Sequence, residues 1–243
     1  MLTVQQPLAL RLRADQTFDS FIGAPGSAAA RARALALALA SGRERTPLYL
    51  WGPPASGKTH LLTAALKTAS DHGLRAAYLP LRALEPTGVA EAVSAFEQFD
   101  LVCVDDLDAV AGDPVGELAL FHLFDRLRSG GGRIISSGHA SSGGLGLCRP
   151  ELTSRLGWGV SCRLDPLPDE HKRTLLLRRA AEQGLQLNDT VVDYLLQRYS
   201  RDLHALLTIL QQLDRATLAA QRRPTLTFVR ALLNAAPMPD ADR

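Results

Sequence analysis

The run Gly52–Pro53–Pro54–Ala55–Ser56–Gly57–Lys58–Thr59 is a complete G-x-x-x-x-G-K-T. Its chemistry is phosphate binding. Glycines let the backbone approach phosphate oxygens, and successive N–H groups at a helix start supply positive potential. Lys58 is spaced to reach the β- and γ-phosphates of a nucleotide and Thr59 to hold Mg²⁺. Chance gives roughly 0.002 such matches in a chain of this length and composition. Lys58 is one of only three lysines, with Lys67 and Lys172. A second group is the apolar run Leu101–Val104, which ends in Asp105 and Asp106. Beside a phosphate loop, Asp105 would hold Mg²⁺ through water and Asp106 would polarise the attacking water. Apolar-then-acid is also an ordinary strand exit, and the loop upstream favours the catalytic reading.

These groups need a scaffold. Pro47–Trp51, Leu74–Leu79, Leu101–Val104, Arg133–Ser137 and Val160–Leu164 are short apolar runs bounded by turn residues, the pattern of buried strands. Helices are expected over about 28–40 with Ser27 as cap, 58–71 ending at Gly73, 89–99 and 115–128. Strands alternating with helices predict a mainly parallel sheet covered on both faces, with the acidic strand next to the loop strand. After Pro166 and Pro168 the pattern is helical throughout: about 169–182, 189–199, 202–221 and 226–234. The expected organisation is a tail over 1–13, a nucleotide-binding α/β base over 14–165, a small helical domain over 166–236 and a frayed end over 237–243.

Composition narrows the function classes. Apolar residues make up 46% and charged residues 21% of 243, enough for a packed core. Lys plus Arg is 27 against Asp plus Glu 25, a formal charge of +2. That balance does not suit a protein living by a broad phosphate-binding surface. Three widely spaced cysteines, Cys103, Cys148 and Cys162, offer neither a disulfide framework nor zinc spacing, and fit a reducing cytoplasm. No apolar run is long enough for a membrane span, so no membrane partner is expected.

With these residues in hand, the sequence resembles the AAA+ initiator family, specifically the ATPase region of the bacterial replication initiator DnaA. Thr17–Phe21 resembles the stretch that opens that region, and the phosphate loop and acidic strand end follow at suitable spacing. Leu152–Thr153–Ser154–Arg155–Leu156–Gly157–Trp158–Gly159 looks like the initiator S-R-F/L-x-W-G box. Arg201–Asp202–Leu203, entering a long helix, looks like the sensor-2 region of the lid. The resemblance covers about 14–235. It implies an AAA+ P-loop base with strand order 5-1-4-3-2 and a C-terminal helical lid. ADP or ATP with Mg²⁺ would lie at their junction, phosphates on 52–59 and adenine near Phe21, Ile22 and His60. Arg155 reads by itself as a surface or core-rim ion pair; the resemblance implies that it is an arginine finger acting in trans, its planar guanidinium neutralising charge on a γ-phosphate held by a neighbouring subunit, and that Arg201 is the lid residue reaching the nucleotide, with Arg198 as rival. After Arg223 the sequence leaves no room for the initiator's DNA-binding helix-turn-helix, and the initiator's long N-terminal domain has no counterpart.

An initiator ATPase of this size resembles the Hda-like regulatory inactivators of DnaA. These carry a short N-terminal Q-L-x-L-x-L motif that docks on the β sliding clamp. Gln5–Gln6–Pro7–Leu8–Ala9–Leu10 keeps Gln5, Leu8 and Leu10 at matching spacing and departs at Gln6. Alternate leucines of an extended peptide can fill an apolar cleft while the Gln satisfies its edge. The implied partners are DnaA and the clamp, with DNA met only through the clamp and further copies of the chain as an open possibility. The implied location is cytoplasmic, at the replisome. The strand after Ile134–Ile135 departs from the initiator pattern: Ser136–Ser137–Gly138–His139 puts His139 where an acid is usual. Ser137 is left to order a water and His139 reads as a polar loop residue, so strong intrinsic hydrolysis is not expected. The segment from Tyr78 to Asp100 is short for an initiator that opens DNA. A helicase loader and a stand-alone small-molecule kinase also share a P-loop. The Leu-rich tail and Trp158 box weigh against the loader, and no acceptor pocket is legible for the kinase.

Overall fold

The computed structural model describes residues 16–84, 88–96, 98–199 and 203–235. It divides into two units, Met1–Pro166 and Leu167–Arg243.

The first unit is a three-layer α/β/α stack. Among the described residues its strands are β1 (Leu48–Trp51), β2 (Ala76–Pro80), β3 (Leu101–Asp105), β4 (Arg133–Gly138) and β5 (Val160–Arg163). All are parallel, in the order β2-β3-β4-β1-β5. This is the order the resemblance implies. It also corrects one expectation: β3 is not next to the loop strand, because β4 lies between β1 and β3. Chemistry from β3 therefore reaches the loop past the end of β4.

Alternation along the strands fills both faces. Leu48, Leu50, Leu101, Cys103, Ile135 and Cys162 pack with α1 (Ala28–Ala40) and α2 (Lys58–Asp71). Tyr49, Val102, Val104 and Ile134 pack with α3 (Val89–Ser94), α4 (Pro114–Ser129) and α5 (Pro150–Gly157). Fully burying one such leucine is worth about 1.5–3 kcal/mol. The alanines of α1 allow close approach: Ala32, Ala36 and Ala40 have no exposed surface. Ser27 caps α1 by accepting the Ala30 N–H at 3.1 Å. Asp113 caps α4 in the same way from Val115, with Pro114 as the first helical residue.

Two boundaries move. Helix α3 stops at Ser94 rather than Phe99, because the Ala95 and Phe96 N–H groups turn to the carbonyls three residues back and the chain bends. Strand β2 begins at Ala76 rather than Leu74, since the Leu74 N–H is still committed to the Ala69 carbonyl of the preceding helix end. Helix α5, over the S-R-L-G-W-G box, has no counterpart in the sequence reading.

The described residues of the second unit form the helices α6 (Asp169–Glu182), α7 (Asp189–Tyr199), α8 (Leu203–Ala220) and α9 (Leu226–Ala235). They have a core of their own: Leu176 and Ala180, Val191, Val192, Leu195 and Leu196, Leu206, Ile209, Leu210 and Leu213, Val229 and Leu233. Among the described residues no helix is long and apolar enough to cross a membrane.

Candidate functional site

The phosphate loop is the turn between β1 and α2. Gly57, with φ of +95°, sits directly before the first helical residue, so the N–H groups of the first turn of α2 point out of the helix start. A side chain at Gly57 would meet the Phe21 ring at 2.8 Å. Phe21 is held there by an edge contact with His60, ring centroids 5.4 Å apart. His60 Nε2 lies 2.8 Å from the Thr17 carbonyl oxygen and 3.2 Å from Ser20 Oγ. Arg33 Nε donates to the Phe18 carbonyl at 2.7 Å, and Phe18 itself is buried in the core. The stretch 17–21 is thus tied to α1 and α2, with Ile22 half-buried beside it. Lys58 Nζ donates to the carbonyls of Gly52 (2.7 Å) and Pro53 (2.9 Å), inside the loop it closes. Burial holds the Lys58 pKa below its ordinary value, against the pull of Asp105, Asp106 and Asp108.

Asp105 ends β3, almost fully buried, and collects three hydroxyls. Oδ2 accepts from Thr59 at 2.7 Å and from Tyr78 at 2.5 Å, and Oδ1 accepts from Ser137. Burial and the neighbouring Asp105 raise the Tyr78 pKa, so Tyr78 remains a proton donor. The Ser137 oxygen accepts the Asp106 N–H at 3.1 Å. With its one proton committed to Asp105, Ser137 can meet a water only as an acceptor. Asp106 is left-handed, φ +59°, a conformation Asp tolerates. Its carboxylate is paired with Arg82 at 3.3 Å. Burial, then Asp105, push the Asp106 pKa up, and Arg82 opposes them. Arg82 also pairs with Asp108, whose Oδ1 accepts the His139 N–H at 3.2 Å. The carboxylate expected to polarise water is therefore held by a cation from the end of β2. The donor set suits a hard divalent cation: Thr59 hydroxyl and Asp105 carboxylate meet beside the loop, all oxygen.

The third feature is the corner between α5 and β5. Arg155 Nε and Nη2 donate to the two carboxylate oxygens of Asp125 on α4, at 2.6 and 3.3 Å. Its guanidinium lies 3.6 Å from the centre of the Trp158 ring and 5.0 Å from that of Phe121. Arg128 lies 4.1 Å from the Trp158 ring. A cavity of about 520 Å³ opens beside them, floored by Pro47, Phe124, Leu127 and Ile134. Gly159 closes the corner: a side chain there would strike the Pro47 carbonyl at 1.9 Å, where β5 begins its pairing with β1. The start of α5 is pinned by Glu117, fully buried in α4. It accepts N–H groups from Gly112 (3.0 Å), Cys148 (2.9 Å) and Arg149 (2.7 Å).

Residues 12–163, well over half the chain, match the bacterial DnaA ATPase domain family. The chain belongs to that family. Residues 169–233 match the Hda lid domain family, so this is a DnaA-like AAA+ protein close to Hda. Among solved structures, domain III of the Thermotoga maritima replication initiation protein DnaA is similar at a TM-score of 0.78. Identity is 22%, over 91% of this chain and 97% of that one. The replication initiator DnaA bound to AMPPCP and single-stranded DNA is similar at 0.72, with 22% identity over 87% and 70%. The Thermotoga maritima RuvB Holliday junction branch migration motor is similar at 0.68, with 19% identity over 92% and 72%. At these identities the likeness speaks to the fold.

Within this DnaA-family chain, the base brings together most residues the sequence singles out. Gly52, Pro53, Pro54, Ala55, Ser56, Gly57, Lys58, Thr59, His60, Phe21, Asp105 and Asp106 surround one end of the sheet, while Arg155 lies by the start of β5. Gln5, Leu8, Leu10 and Arg201 lie outside the described residues. Arg198 is exposed, donating to the Tyr199 hydroxyl at 3.3 Å. Sequence reasoning missed Tyr78, Arg82, Glu117 and Asp125. No local pattern marks them, because each meets its partner only through strand register or helix packing.

Proposed function

We propose that this protein is a nucleotide-bound negative regulator of replication initiation that promotes hydrolysis of ATP held by DnaA. The observation that carries the reading is Arg155, gripped by Asp125 and Trp158 on a corner remote in sequence from its own phosphate loop. A guanidinium so placed suits a γ-phosphate on another chain, and such fingers raise hydrolysis by about 10³–10⁵.

ADP or ATP would rest on residues 52–59, with Lys58 turning from its loop carbonyls to the phosphates. Phe21, Ile22 and His60 would border the base, and Arg201 would contact nucleotide from the lid. Thr59 and Asp105 would hold Mg²⁺, which supplies neutralising charge to the phosphates. The Arg82 grip on Asp106 fits weak hydrolysis by the protein itself. Gln5, Leu8 and Leu10 would dock on the DNA-loaded β clamp, bringing Arg155 to DnaA in the cytoplasm near newly replicated DNA. Hydrolysis would leave ADP–DnaA, unable to re-initiate.

The test is reconstitution from purified DnaA loaded with labelled ATP, clamp, DNA and this protein. Accelerated hydrolysis that requires the clamp and disappears with Gln5→Ala supports the reading. Unchanged hydrolysis, with the protein bound instead to the replicative helicase, would replace it with a loader or another adaptor.

A further inference from the structure

An arginine that acts on a group in another molecule must be presented in one geometry. A free Arg side chain samples many rotamers, and misplacement of about 1 Å can remove most of a catalytic contribution. Around Arg155 three contacts restrict it. The Asp125 carboxylate forks onto Nε and Nη2, the Trp158 ring lies 3.6 Å from its centre, and Phe121 stands at 5.0 Å. Asp125 is itself on a rigid base, since Leu120, Leu123, Phe124 and Leu127 anchor the other side of α4 in the core.

The fork is side-on. It uses Nε–H and one N–H of Nη2, which leaves both N–H groups of Nη1 and the second of Nη2. Those three make no hydrogen bond among the described residues, so the outer end of the guanidinium is unspent. An end-on pairing would have consumed that end. The pair is partly buried, with Arg155 20% and Asp125 36% exposed. A single pair still in contact with water contributes only modestly to folding. Its consequence is orientation.

We propose that Asp125 is the positioning residue for Arg155, holding the guanidinium side-on so that Nη1 and Nη2 meet the terminal phosphate of a triphosphate carried by a second protein. This rests on the regulatory reading above.

The experiment compares wild type with Arg155→Ala, Asp125→Asn and Asp125→Glu. It measures the maximal rate of DnaA-bound ATP hydrolysis and the concentration of this protein giving half of that rate. Asp125→Asn is expected to lower the maximal rate about tenfold. The half-maximal concentration and the thermal midpoint should hardly move, and Asp125→Glu should restore part of the rate. A structural role would shift the midpoint instead. An unchanged maximal rate in Asp125→Asn beside a dead Arg155→Ala overturns the proposal and leaves the regulatory reading standing. A fully active Arg155→Ala overturns both. A readout independent of DnaA is the Arg155 Nε–Hε NMR signal of the free protein. It should be sharp in wild type and lost to exchange in Asp125→Asn, and persistence in that variant contradicts the proposal.

Discussion

Ala55 occupies the left-handed region, φ +59°, inside the phosphate loop. An L-residue there is strained by about 1 kcal/mol or more relative to glycine. Ala55→Gly is therefore expected to raise the thermal midpoint by about 2–4 °C, read by calorimetry. Glu117 gives a pH dependence. Burial pushes its carboxyl up, but the N–H groups of Cys148, Gly112 and Arg149 and the Cys148 thiol outweigh this, so its pKa lies below the ordinary value. A depressed carboxyl stabilises the fold above its unfolded pKa and loses that contribution as pH falls through the folded one. Glu117→Gln should cost about 2 kcal/mol at pH 7, with the deficit narrowing only as pH falls below about 4 in denaturant titrations at each pH. At this scale the phosphate loop is legible in sequence because all its donors lie in one run of eight residues. Asp105 is legible for the same reason. Its hydroxyl partners on β2 and β4 are not, since Tyr78 and Ser137 meet it only once the parallel register is set.

Most elements follow from period and punctuation. Helices over 58–71, 169–182 and 189–199 match the expected bounds because cap, Gly or Pro brackets a clear apolar stripe. Helix α5 is harder to see. It is eight residues, its stripe is only Leu152 and Leu156, and its start is held by a carboxylate from another helix rather than by a local cap. Signals did exist: Pro150 at the first position and Glu151 in the first turn. The order of β3, β4 and β1 was also beyond local pattern, because buried parallel strands all read as short apolar runs. The tightest constraint on the corner is Gly159, whose Cα hydrogen faces the Pro47 carbonyl. Gly159→Ala should push β5 from β1, lower stability by about 1–3 kcal/mol and weaken stimulation of DnaA by moving Arg155. Stability lost with stimulation fully retained would show that β5 does not set the finger.

At the scale of the whole molecule, a base of the DnaA ATPase family and an Hda-type lid each have their own core. The base presents two chemistries at separate places: a phosphate loop with Lys58, Thr59 and Asp105, and a fixed guanidinium at Arg155. Lys58→Ala should abolish binding of a fluorescent ADP analogue in equilibrium titration while leaving the thermal midpoint of the ligand-free protein within about 2 °C, because Lys58 bonds only loop atoms there. Added ADP should raise the wild-type midpoint and not that of the variant. The central claim is that Arg155 acts on a nucleotide outside its own chain. Single-turnover hydrolysis of labelled ATP pre-bound to DnaA, with DNA-loaded clamp and either wild type or Arg155→Ala, measures it most directly. Wild type should accelerate hydrolysis, and Arg155→Ala should give the rate of DnaA alone despite normal ADP and clamp binding. Equal acceleration by both proteins would contradict the claim.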